Sequence, residues 1–336
     1  MLYSLGMHKT YPPKLKKGDV VRVVAPARSL AIISKQTREI ANSRFEQMGL
    51  ELSFGKHVEE CDEFGSTTVE ARVADLHEAF SDPDVKGVIT AIGGFNSNQL
   101  LKHLDWDLIG KNPKMFCGYS DITALCNAIY VKTGLVTFYG PHYSTFGQKL
   151  YMDYTMDYFK KCVMEGGGAT FEAQASENWS DDMWFLDQDK RAPARNGGFV
   201  VLGGNGVACG TAIGGNLCTF NLLHGTEFMP DFAETVLFLE DDETTNAVTF
   251  DRDLQSVIHQ PGFEGVNAIV IGRFQKNSEV RLELLQKIVE SKQELADVVV
   301  VAGADFGHTE PKFTWPVGGV AKVEVSGKKA RISFEV

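Results

Sequence analysis

A chain of 336 residues is long enough for two domains that each bury a core. Its apolar fraction of 43% and charged fraction of 23% are those of a folded water-facing protein, not of a disordered one. A net charge of −11 with no Lys/Arg block excludes nucleic acid as an expected partner and leaves a small-molecule substrate.

The six cysteines include no C-x-x-C pair, so neither a metal nor a redox site is expected. They read as reduced, mostly buried small residues of a cytoplasmic protein. The stretch from Met1 to Met7 is too short and polar for a signal peptide. No apolar run approaches the roughly 20 residues of a membrane span, so no membrane partner is expected. The first ten or so residues are expected to be loosely ordered.

In chain order, residues 19–25 (Asp-Val-Val-Arg-Val-Val-Ala) form a β-branched run that predicts a buried strand. A helix is predicted over 34–48, ended by Gly49, and a second strand over 50–54. A helix over 69–80 stops at Ser81-Asp-Pro-Asp84, and 85–92 reads as a third strand. Gly93-Gly94 follows, with a helix from Asn98. A short apolar run then ends at Gly118, and after Ser120 a helical pattern carries Ile122, Leu125 and Ile129 on one face. This alternation over residues 19–135 predicts a mostly parallel α/β sheet, with sites at the carboxyl ends of its strands.

Residues 1–165 are therefore assigned to an N-terminal α/β domain, and 166–205 to a linker and substrate loop rich in Gly, Asn, Asp and Trp. Residues 206–336 form the C-terminal domain. It has apolar runs at 236–239, 268–271 and 298–302, a helix over 279–290, and a terminal hairpin turning at Ser326-Gly327.

A serine caught between a strand and a helix sits on a sharp turn, as in a nucleophile elbow. The helix start behind Ser120 presents unpaired N–H groups and a positive dipole end to a developing oxyanion. A serine nucleophile needs a base and an orienting acid. His308, in a loop beyond an apolar run, is one candidate base; its alternative role is a structural hydrogen bond. His142 is a second, while His224 and His259 fall in helical patterns. Glu240 ends an apolar strand and is either a solvated terminus or the acid. Gly93-Gly94 is either a tight turn or an exposed N–H aimed at a substrate. Trp179 and Trp184, in a polar loop, are either packed or free to stack on a planar ligand. The Gly-rich 203–215 stretch matches neither phosphate-loop pattern.

At these residues the chain resembles the LD-carboxypeptidase-like serine peptidases, and among them the microcin C immunity peptidases (MccF-like). The motifs are Ile92-Gly-Gly94 with Asn96-Ser97, Gly118-Tyr-Ser-Asp121, Gly214-Gly-Asn-Leu217, Phe238-Leu-Glu-Asp241 and Gly307-His308. The resemblance runs nearly end to end. It implies a Ser120–Glu240–His308 triad, with the backbone N–H groups of Gly94 and Asp121 as oxyanion hole. It also implies an α/β N-terminal domain with a smaller β-rich C-terminal domain, a homodimer, and no metal or cofactor. The elbow departs from G-x-S-x-G, because Ile122 follows Asp121 and no second glycine appears. Within the family, substrates divide between a murein tetrapeptide, cut at its terminal D-amino acid, and an amide joining an aminoacyl or peptidyl group to a modified adenylate. The 177–184 loop resembles the second branch, and an aromatic platform stacks a purine for about 1–3 kcal/mol. Trp179, Trp184 and Asn216 are the expected substrate contacts. Two readings of other classes stand beside this one: a non-catalytic nucleotide- or peptide-binding module, and a cysteine enzyme using Cys117.

Overall fold

The apolar runs pair into two large sheets in a computed structural model that describes residues 9–166 and 168–336. The expectation about the chain's start thus lies largely outside the described residues. The first sheet has the order Trp315–Val317, Thr137–Tyr139, Met115–Gly118, Val85–Thr90, Val20–Val24, Glu51–Phe54. Its last five strands run parallel, as the strand–helix alternation requires. Ser34 and Thr68 cap the two helices Lys35–Gln47 and Val69–Ser81 by accepting backbone N–H bonds from Thr37 and Ala71.

The second sheet has eight strands: Thr170–Ala173, Lys329–Glu335, Val320–Ser326, Gly206–Asn216, Thr235–Glu240, Val266–Gly272, Val299–Ala304 and Val200–Gly203. The terminal hairpin forms as expected, with Ser326 opposite Lys329. The four strands from Gly206–Asn216 to Val299–Ala304 are parallel, so this half is more than an antiparallel β unit. Its helices Ala247–Ile258 and Leu282–Glu290 cover that parallel core.

Three local expectations change. The helix expected from Asn98 is a single tight turn, Ser97–Leu100, and regular helix resumes at Trp106–Lys111. Asp121 draws the backbone N–H groups of Asn96 and Ser97 toward the serine turn, which holds this segment out of helical register. The helix expected from 279 begins at Leu282, because Glu279 has a left-handed φ of 54°. Cys117, Cys126 and Cys162 are buried, but Cys61, Cys209 and Cys218 are exposed. Among the described residues no helix is long and apolar enough to cross a membrane.

The two sheets are sewn together rather than merely adjacent. The strand Trp315–Val317 comes from the C-terminal half but pairs antiparallel with Thr137–Tyr139 of the first sheet. Trp315, fully buried, stacks on Phe238 of the second sheet at 4.6 Å and lies 5.2 Å from the Tyr139 ring. Asn127 donates to the Gly214 carbonyl at 2.8 Å and accepts from the Gly214 N–H at 3.2 Å. Truncating Phe238 to Ala removes a second-sheet ring that stacks on Trp315 of the first sheet. We expect it to cost about 3–5 kcal/mol in urea denaturation, the usual range for truncating a buried aromatic ring.

Candidate active site

Four loops meet at the carboxyl ends of parallel strands, where open α/β sheets place their sites. The strand Met115–Gly118 delivers Ser120, and Val85–Thr90 leads into the Gly93–Gly94 turn. The strand Thr235–Glu240 ends on Glu240, and Val299–Ala304 runs out toward His308.

Ser120 adopts a φ of 59°, a left-handed conformation that a serine holds only when its surroundings impose it. Its N–H donates to the Tyr139 hydroxyl at 3.0 Å, and its carbonyl accepts from Thr123 Oγ1 at 2.6 Å. The tight turn Ser120–Ile122 then runs directly into the helix Thr123–Thr133. His308 Nε2 lies 3.0 Å from Ser120 Oγ, and His308 Nδ1 lies 2.7 Å from Glu240 Oε2. Glu240 has no exposed surface, and its second oxygen accepts from Tyr139 at 2.6 Å. The His308 side chain is 17% exposed, so the open side of the site is at the imidazole.

The close approach of His308 to Glu240 depends on Gly307. A Cβ there would stand 2.3 Å from Glu240 Oε2, and its φ of 92° is one that glycine alone adopts freely. Burial by itself would lower the His308 pKa. The Glu240 charge and hydrogen bond outweigh that, and the net shift is upward. Tyr119 packs edge-on to His308 at 5.3 Å.

Gly93 forms the opposite wall. A Cβ there would lie 2.9 Å from Ser120 Oγ, so any side chain would press on the hydroxyl. Among the described residues, the N–H groups of Gly94 and Asp121 have no protein acceptor. The Asp121 side chain is buried and accepts from the N–H groups of Asn96 and Ser97 at 3.0 and 2.9 Å. Ser97 Oγ donates back to the Asp121 carbonyl at 2.6 Å. One residue thus locks the glycine turn to the serine turn and fixes the spacing of the two unpaired N–H groups.

The structure therefore brings Ser120, Glu240, His308, Gly94 and Asp121 together, and it separates the other expected contacts. Trp184 lines a cavity of about 330 Å³ with Ile92 and Ser144, beside the glycine turn. Trp179 instead lies between two other cavities of about 370 Å³ each, and the Arg273 guanidinium and Lys276 ammonium sit 5.1 and 5.0 Å from its ring centre. Asn216 is buried and caps the helix Leu217–Asn221. Its oxygen accepts from the Thr219 N–H and its amide donates to Asp241 Oδ1 at 3.1 Å.

His142, the second candidate base, is also near Ser120 but differently engaged. Its Nδ1 is 2.7 Å from Thr90 Oγ1, and its ring stacks on Tyr119 at 4.2 Å. Burial, then the charges of Lys312 and His308, push its pKa well down, so it stays neutral. His224 follows the helix Leu217–Asn221, and His259 caps the helix Ala247–Ile258. Cys117 is fully buried, and burial pushes its thiol pKa well up, which leaves it unreactive. Among the described residues no three His, Cys, Asp or Glu side chains gather to hold a metal ion.

Sequence reasoning missed Tyr139, Thr123 and the side-chain role of Asp121. Only the position of Tyr139 at a strand end before Gly140-Pro141 hinted at a site residue.

The sequence pattern of the LD-carboxypeptidase N-terminal domain matches residues 21–140, and that of the LD-carboxypeptidase C-terminal domain matches 209–323. The chain is 50% identical to YocD of Bacillus subtilis (strain 168), over 96% of this chain and 98% of that one. It is 31% identical to the microcin C7 self-immunity protein MccF of Escherichia coli, over 97% and 96%. The crystal structure of a MccF-like protein from Bacillus anthracis strain Ames superposes with a TM-score of 0.94 at 49% identity, covering 97% of this chain and 99% of that one. A structure of MccF in complex with glutamyl sulfamoyl guanosine superposes at 0.87 and 30% identity, covering 97% and 98%.

Asp241, next to Glu240, supplies a test of the site's electrostatics. Burial and the neighbouring Glu240 charge push its pKa up from 3.8 to about 7. Below pH 3.8 it is protonated whether folded or unfolded, and stability is unaffected. Above that pH the unfolded chain releases the proton while the folded chain holds it. Stability then falls as pH rises toward 7, by about 1.4 kcal/mol per pH unit. Urea titrations from about pH 4 to 8 are expected to show a shallower decline in Asp241→Asn, which keeps the acceptor but cannot ionise. From matched domains and matched fold alike, the chain belongs to the LD-carboxypeptidase family and is a serine carboxypeptidase-like hydrolase.

Proposed function

We propose that this chain is a MccF-type serine amidohydrolase, cleaving the amide between an aminoacyl or peptidyl group and a modified adenylate. The observation that carries this reading is the unbroken hydrogen-bond path Ser120–His308–Glu240. Beside the glycine turn that packs on Ser120, a cavity lined by Ile92 and Ser144 holds an aromatic side chain, Trp184. MccF, the relative solved with glutamyl sulfamoyl guanosine, shares this fold over nearly the whole chain.

In this reaction neutral His308 takes the Ser120 proton as Oγ attacks the amide carbonyl. The carbonyl π-electrons move to oxygen, and the N–H groups of Gly94 and Asp121 hold that oxyanion. Glu240 stabilises the imidazolium and keeps Nδ1 protonated. His308 then gives its proton to the departing amine nitrogen as the C–N bond breaks. Water, deprotonated by His308, attacks the acyl ester, and Ser120 leaves with the proton. Trp184 stacks on the base of the leaving nucleotide.

Ser120→Ala, Glu240→Ala and His308→Ala are each expected to remove at least about 10³-fold of the activity while the circular dichroism spectrum stays native. Combining them should add little, because the three act as a unit. Glutamyl sulfamoyl adenosine and a murein tetrapeptide, offered separately and followed by mass spectrometry, separate the two branches of the family. Release of glutamate supports the proposal. Release of only the terminal D-amino acid moves the chain to cell-wall recycling, and binding without turnover makes it a binding module.

The base must be unprotonated, and its pKa is raised above the ordinary histidine value of 6.5. kcat/KM is therefore expected to fall as pH drops through a midpoint above 6.5. In the residual activity of Glu240→Gln that midpoint should move to lower pH, since the charge that holds the proton is gone. An unmoved midpoint would assign the titration to another group.

A further inference from the structure

Two cavities flank the Gly93–Gly94 turn, and Arg28 lines both. One, of about 430 Å³, is rimmed by the exposed rings of Phe64 and Phe95; the other, of about 330 Å³, holds Trp184. The Arg28 backbone N–H donates to the Gly93 carbonyl at 3.2 Å. Its Cγ lies 2.8 Å from the point where a Gly94 Cβ would stand. Gly93 in turn packs on Ser120. One turn of backbone therefore separates Arg28 from the nucleophile.

Arg28 is half-buried, yet among the described residues its guanidinium has no ion pair and no hydrogen bond. Other recessed arginines have partners: Arg22, Arg191 and Arg273 pair with carboxylates, while Arg72 and Arg44 donate to backbone carbonyls. Asp62 shares the larger cavity, but its Oδ1 accepts from the Phe64 and Ser66 N–H groups of its own loop. Withdrawing a cation from water without a counter-charge is costly unless something supplies that charge. Arginine's planar fork matches a carboxylate, sulfamoyl or phosphoryl group, on which it makes two charge-assisted hydrogen bonds.

We propose that Arg28 binds an anionic group of the substrate in the cavities beside the Gly93–Gly94 turn. This deepens the serine-hydrolase reading above and rests on it. The anion has two possible sources: the carboxylate of a C-terminal residue, or the phosphoryl or sulfamoyl oxygen of a nucleotide conjugate.

Two matched pairs of probes differ only in the anion: a murein tetrapeptide and its C-terminal amide, and adenosine monophosphate and adenosine. Their affinities for Ser120→Ala would be measured by calorimetry, with and without Arg28→Gln or Arg28→Lys. We expect the ratio of anionic to neutral affinity to fall tenfold or more in Arg28→Gln for one pair, with partial recovery in Arg28→Lys. The pair that responds names the source of the anion. Ratios unchanged in both pairs overturn the proposal, as does failure to bind any of the four. A general loss, equal for charged and neutral probes, also overturns it, because that is the mark of a structural role. Calorimetry does not depend on turnover. A chain inactive on every substrate would sink the catalytic reading while Arg28 was still decided.

Discussion

A carboxylate with no exposed surface must draw its hydrogen bonds from the protein, and Glu240 draws them from both halves at once. Tyr139, at the end of a first-sheet strand, donates to one oxygen; His308, beyond a second-sheet strand, meets the other. The same tyrosine oxygen accepts the Ser120 N–H. The backbone of the proposed nucleophile and the proposed base are therefore both measured from a single buried charge. Leaving that charge unsatisfied would cost several kcal/mol, so the two sheets are held in the one arrangement that satisfies it. Trp315, Phe238 and the Asn127–Gly214 pair add packing and hydrogen bonds to an alignment that the carboxylate already demands.

The parts of the site that the sequence made legible are those set by local pattern. Ser120 could be read because a strand run, a glycine and a helical pattern occur within a dozen residues. Glu240 and His308 were candidates because each follows an apolar run, and it was the family resemblance that joined them to Ser120. The N-terminal sheet was legible for the same reason. What was hidden depends on pairings across long stretches of chain. The Asp121 carboxylate reaches a loop 24 residues earlier, and Tyr139 meets a glutamate 101 residues later. Nothing near Asn216 shows that its side chain is spent on a helix cap and on Asp241. Trp179 and Trp184 are five residues apart and looked like a pair, but the 166–205 stretch folds back on itself and sends them to different cavities. That stretch also supplies Thr170–Ala173 and Val200–Gly203 to opposite edges of the second sheet, a role its Gly- and Asn-rich composition conceals.

The acidic run Glu240-Asp-Asp-Glu243 shows how differently one chemical group can be housed along a few residues. Glu240 is matched by two donors. Asp241 is buried beside it, with Oδ2 unpartnered, and is pushed toward neutrality near pH 7. Asp242 turns outward to bond Thr244. Three adjacent carboxyl groups thus meet three different surroundings, and it is solvent and partners that set what each can do.

The strand Trp315–Val317 has a consequence for the newborn chain. It covers the flank of Thr137–Tyr139, yet a ribosome delivers it long after that strand. Until it arrives, that strand has an open edge and Tyr139 has no tryptophan against it. Ser120 is made before the second sheet, whereas His308 and the covering strand come after most of it. A polypeptide made only as far as the first sheet would therefore carry Ser120 without the imidazole that meets its hydroxyl.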